Sequence, residues 1–139
     1  MPRQELLHQR ITGAIIDSFD TVYAELGYGY REYVYALALE RELTRRGHKV
    51  EREVWVTIYF TGEPLCRERM DMLVDGKVIV ENKTGPRLPP NPTQQLFGYL
   101  CASTKELGMF LFYGPKPQFF RVICQNHFKH HQPSGRPSQ

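Results

Sequence analysis

Residues 70–83 read MDMLVDGKVIVENK, and this stretch decides how the rest of the chain is arranged. Asp75-Gly76 separates two predicted strands, Leu65 to Val74 and Lys77 to Lys83, whose apolar residues crowd toward the turn, which is the composition of a tight β-hairpin. Away from the turn each run meets acid: Asp71 in the first, and Glu81-Asn82-Lys83 after the second. Strand side chains alternate, so Glu81 and Lys83 share one face and Asn82 takes the other. A carboxylate inside an apolar run needs a partner, because burying an unpaired charge is costly. The hairpin register settles whether the acids meet. A two-residue loop, Asp75-Gly76, sends Asp71 and Glu81 to opposite faces. A three-residue loop, Val74-Asp75-Gly76 with Gly76 left-handed in a bulge, sets them on one face, a diagonal step apart. The second register is expected.

Outward from the hairpin the pattern is that of one α/β domain. Toward the N-terminus, Val50 to Phe60 alternates as a strand, with Thr61-Gly62-Glu63-Pro64 as its turn. Before it, Leu7, Ile11, Ile15, Phe19, Val22 and Leu26 recur at helical spacing and predict a helix over Glu5–Leu26; a second stripe predicts one over Arg31–Arg46, stopped by Gly47. Toward the C-terminus, a proline-rich stretch from Thr84 to Pro92 excludes regular structure. Thr93 is then placed to cap a helix reaching Leu107, followed by strands over Met109–Tyr113 and Phe119–Ile123. The order ααβββαββ calls for a mixed β-sheet flanked by α-helices. Residues 1–124 are read as a single domain and 125–139 as a flexible tail.

Composition narrows the setting. A chain of 139 residues with 41% hydrophobic content fills one core. No apolar run reaches the length of a membrane span, and the polar MPRQELLHQR opening argues against a secretory leader. Three cysteines, Cys66, Cys101 and Cys124, lack metal-type spacing and read as buried reduced thiols of a cytoplasmic protein. A formal charge of +3 is compatible with a polyanionic partner and decides nothing alone.

Glu32 lies seven residues before Leu39 and so heads the apolar face of the second helix, pointing at the sheet. Glu32, Asp71, Glu81 and Lys83 together carry a formal charge near −2, which a divalent cation would balance. Magnesium, with manganese as a substitute, suits such hard oxygen donors. Phosphodiester hydrolysis is the reaction that this set of groups fits.

Gly29-Tyr30-Arg31-Glu32-Tyr33-Val34-Tyr35 matches the GxxExxY signature, and with Arg69-Met70-Asp71, Glu81-x-Lys83 and the Gln95-Leu96-Phe97-Gly98-Tyr99 element the chain resembles the GxxExxY proteins of the PD-(D/E)XK nuclease superfamily, from the first helix to about Ile123. The resemblance implies a restriction-endonuclease-like fold with metal ligands at Glu32, Asp71 and Glu81, a backbone carbonyl ligand at Asn82, Lys83 as the catalytic lysine, and Gln95 and Tyr99 toward substrate. Two positions depart from the pattern: Asn82 stands where an apolar residue is usual, and Met70 where the superfamily name has proline. The expected function is a magnesium-dependent nuclease on DNA, less readily RNA. The rival is a nucleic-acid-binding or accessory module without turnover. A homodimer suits a small domain gripping a long polymer, though no segment demonstrates one. The cations Arg41, Arg45, Arg46, Lys49 and Arg52 read as a solvated face, Trp55 and Tyr59 as sheet packing, and His127, His130 and His131 receive no role.

Overall fold

A computed structural model describes residues 7–129 of the protein. Helices α1 (Gln9–Leu26) and α2 (Glu32–Arg45) precede strands β1 (Val50–Phe60), β2 (Glu63–Val74) and β3 (Val78–Lys83); α3 (Gln94–Ala102), β4 (Leu107–Phe112) and β5 (Gln118–Ile123) follow. The first helix starts later than predicted: Glu5 lies outside the described residues, but Leu7 and His8 are not helical, and His8, left-handed at φ 51°, is the N-cap before Gln9. Five strands form one sheet in the order β1-β2-β3-β4-β5, with β3 and β4 parallel and the other neighbours antiparallel. The expected α/β class and element order hold.

Every residue of β4, LGMFLF, is buried. A strand covered on both faces gains nothing from polar alternation, hence its unbroken apolar run. Val78 and Val80 of β3 pack with α1 and α2 in one core, and Ile79 joins the core under α3. Gly108 lets α3 lie directly on β4: a Cβ there would stand 2.8 Å from Leu96.

Four further expectations are corrected. The third helix stops at Ala102, short of Leu107, because the Ser103 hydroxyl donates to the Leu100 carbonyl and accepts the Lys105 N–H, which draws the backbone off the helix. Thr93 occupies the N-cap position but makes no side-chain cap bond. The chain after β5 is anchored as far as it is described: Asn126–Phe128 form a 3-10 turn, and the Lys129 ammonium donates to the carbonyls of Ser103 and Lys105. Residues 130–139, with His130 and His131, lie outside the described residues. Cys124 is buried and 3.2 Å from Cys101 sulfur to sulfur, whereas Cys66 is exposed on β2. Among the described residues no helix is long and apolar enough to cross a membrane.

Candidate active site

The β2–β3 hairpin pairs Val74 with Val78, Leu73 with Ile79 and Met72 with Val80. The loop is therefore Asp75-Gly76-Lys77, one residue later than predicted. Asp75 and Gly76 have φ of 53° and 67°, and the Lys77 N–H donates to the Val74 carbonyl, so left-handed geometry at both central positions fixes a two-residue turn followed by a bulge. The consequence for the acids survives the shift. Extending the register sets Asp71 across from Glu81, directly rather than diagonally, on the face of Leu73 and Ile79.

At that point the strands part. No pair joins β2 and β3 beyond Met72 and Val80, although β3 stays paired with β4 to Lys83. Asp71 Oδ2 takes the place of a carbonyl, accepting the Asn82 N–H at 3.0 Å and the Asn82 side-chain amide at 2.8 Å. On the other side the β1–β2 ladder pairs Arg52 with Met72 and Val54 with Met70 but skips Glu53, whose φ is 58°. Such a backbone is unusual for a residue with a side chain and persists only where the surroundings impose it. Both ladders thus break at Asp71, and a pocket of about 320 Å³ opens there.

Glu32, Asp71, Glu81, Asn82, Lys83, Gln95 and Tyr99 all line that pocket, so the residues named from sequence are brought together. Glu32 is the first residue of α2, and its Oε2 accepts the Thr84 N–H at 3.3 Å. The Asn82 side chain bridges Asp71 and Tyr113, its amide donating to Asp71 Oδ2 and its Oδ1 accepting from the Tyr113 hydroxyl at 2.8 Å, which accounts for a polar residue where an apolar one is usual. Its carbonyl shares the β2 side with its N–H, since the two point the same way in a strand. Sequence reasoning missed Glu53 and Arg69 as lining residues, Arg69 entering it as part of a motif and, with Arg67, as a candidate salt-bridge partner of Asp71. Arg69 meets Glu53 at 3.9 Å rather than Asp71. Nothing in the sequence marks Glu53; only its position across from Asp71 does.

Glu81 is the electrostatic centre. It is 6% exposed, its Oε1 has no hydrogen-bond partner, and its Oε2 is 3.7 Å from the Lys83 ammonium. Burial pushes its carboxyl above the ordinary range, Lys83 opposes the rise, and the Asp71 and Glu32 charges add to it. The Tyr99 hydroxyl is pushed up as well, by burial and then by the Glu81 charge. Four carboxylates against Lys83 and Arg69 leave the pocket a formal charge of −2. Among the described residues no three His, Cys, Asp or Glu side chains form a ready-made metal cage, and Asp71 and Glu32 are turned to the N–H groups of Asn82 and Thr84. The donor set nevertheless fits a hard divalent ion: oxygen ligands only, excess negative charge, and one buried carboxylate oxygen without a partner.

A model of the PD-(D/E)XK nuclease superfamily matches residues 9–122, a span holding all of these residues. No curated protein matches the chain significantly. Among solved structures the chain is similar to the crystal structure of SSO0001, with a TM-score of 0.50 and 19% identity over 84% of this chain and 60% of that one. At that identity the likeness concerns the fold, and the chain spans 60% of that protein's length.

Proposed function

The chain belongs to the PD-(D/E)XK nuclease superfamily, and from that premise we propose that it is a magnesium-dependent nuclease of the GxxExxY branch, hydrolysing phosphodiester bonds in DNA before RNA. The observation that carries the reading is Glu81 Oε1, buried and unpartnered in a pocket shared with Glu32, Asp71 and Lys83. A buried carboxylate oxygen without a partner is an arrangement that stability alone does not favour.

In this reading Asp71 and Glu81 are the principal ligands of Mg²⁺, for which Mn²⁺ substitutes, with Glu32 and the Asn82 carbonyl completing the set. The ion supplies Lewis acidity toward a phosphoryl oxygen and a more acidic bound water. Lys83, held beside Glu81 by their opposite charges, orients the attacking water or meets the charge growing on the phosphate. Gln95 and Tyr99, one turn apart on α3, close the pocket against the substrate. The free thiols Cys101 and Cys124 suit a reducing, cytoplasmic compartment.

A second reading, a binding or accessory module without turnover, draws on Asp71 and Glu32 being engaged by the protein's own N–H groups. Incubation of labelled single- and double-stranded DNA and RNA with Mg²⁺, Mn²⁺ or EDTA separates the two. Cleavage that needs the metal and drops at least ~10²-fold in Lys83→Ala is expected for the enzyme. Folded wild-type protein that cuts none of these substrates with either metal selects the module.

A further inference from the structure

Beyond Glu53 and Asp71 the β1–β2 hairpin continues as an arm, and every residue from Thr61 to Arg69 is exposed. One face of the arm, carrying Val54, Val56 and Met70, joins the core under α3. The other holds Trp55 directly across from Arg69, and Thr57 across from Arg67. Trp55 is 50% exposed, so the packing role expected of it from sequence does not describe it. The Arg67 guanidinium carbon lies 4.6 Å from the indole centroid, and that of Arg69 lies 5.9 Å away.

Two like charges on neighbouring positions of one strand face repel each other. Some arginines elsewhere are paired with acids: Arg45 and Arg46 both meet Glu42, and Arg52 meets Glu40. On the arm, Arg69 has only the solvent-exposed Glu53 at 3.9 Å, and among the described residues Arg67 has no ion pair. The indole therefore holds a pair of outward, under-neutralised guanidinium groups. Arg69 and Glu53 also line the acidic pocket, so this strip runs into it without a gap. A carboxylate-rich pocket repels a polyanion, and cations at its entrance are what would bring one there.

We propose that Trp55, Arg67 and Arg69 form a track for an unpaired nucleic-acid strand leading into the acidic pocket. Arg67 and Arg69 take successive phosphates, and the indole and guanidinium planes offer flat faces to unstacked bases. Paired bases within a duplex hide those faces, so single strands bind more tightly than duplexes. DNA and RNA share the chemistry, and the arms of the test distinguish them. The destination of the strand rests on the nuclease reading, while the binding itself does not.

Fluorescence anisotropy of labelled single-stranded and duplex DNA and RNA with the full chain in EDTA reads binding without cleavage. Trp55→Ala is expected to lose roughly tenfold in single-strand affinity. Arg67→Ala and Arg69→Ala each weaken binding across sequences and lower the salt slope by about 1. Arg45→Glu, which alters a neutralised cation on α2, changes little, and thermal melts confirm that each variant is folded. Arg67→Glu with Arg69→Glu binding like wild type, duplex binding at least as tight as single-strand binding, or no binding by wild type overturns the proposal. Binding that depends on these residues without cleavage on adding Mg²⁺ supports the track and sinks the nuclease reading instead.

Discussion

The two ends of the β2–β3 hairpin handle the same chemical group in opposite ways. At the turn, Asp75 has both oxygens engaged: Oδ1 accepts the Lys49 N–H at 2.9 Å, and Oδ2 meets His48 Nδ1 at 2.6 Å. At the open end, Glu81 is more deeply buried, yet its Oε1 bonds to nothing. Burial acts on both carboxyls in the same direction. At Asp75 the bonds from His48 and Lys49 outweigh it and leave the carboxyl below its usual value, whereas at Glu81 the neighbouring acids reinforce it against Lys83 alone. A satisfied carboxylate fastens the turn to the chain leaving α2. An unsatisfied one stores a cost that folding does not recover by itself, which is what the proposed ligand role of Glu81 requires.

Paired substitutions put this contrast at greatest risk. Glu81→Gln is expected to cut metal-dependent cleavage at least ~10²-fold while leaving the melting temperature equal or higher, since it removes a buried charge. Asp75→Ala is expected to cost about 1–3 kcal/mol of stability, by stranding the groups it bonds, and to leave the activity of the folded fraction intact. Cleavage assays and urea unfolding on both variants check this. Unfolding of Glu81→Gln together with inactivity of Asp75→Ala would reverse the roles.

A smaller effect sharpens the same comparison. A ligand that binds only the folded state stabilises it by about 2.7 kcal/mol at a hundredfold excess over its dissociation constant. Thermal melts with increasing Mg²⁺ or Mn²⁺ should rise in wild type and in Asp75→Ala, and stay flat in Glu81→Gln. An equal rise in all three places the ion elsewhere.

Much of the fold was legible because its signals are local and periodic. The stripe from Ile11 to Leu26 and the Asp75-Gly76 turn declare their structures without help from distant residues. The third helix was overextended because Ser103 and Thr104 look tolerable in a helix until the hydroxyl of Ser103 is seen bonding the backbone. Glu32, Asp71, Glu81 and Lys83 could be named from motifs and from the oddity of acids in apolar runs. Glu53 and Arg69 could not be placed in the pocket, since that depends on a break in two ladders at once. Trp55 was misjudged for a related reason: alternation shows that it shares a face with Thr57 and Tyr59, and only the sheet's path shows which face is left uncovered.

The smallest expected effect concerns the satisfied end. Because the folded-state pKa of Asp75 lies below its ordinary 3.8, the ionised form favours folding; the stabilisation is complete above that value and is lost as pH falls through the lower folded one. Asp75→Asn keeps an oxygen for the Lys49 N–H but has no charge to titrate. Urea unfolding of wild type and Asp75→Asn between about pH 6 and pH 2 should therefore show a constant gap at the upper end that closes with acid. A gap that persists to the lowest pH would mean that the shape and hydrogen bonding of Asp75, rather than its charge, hold the turn. The contrast with Glu81 would then be one of packing, not of electrostatics.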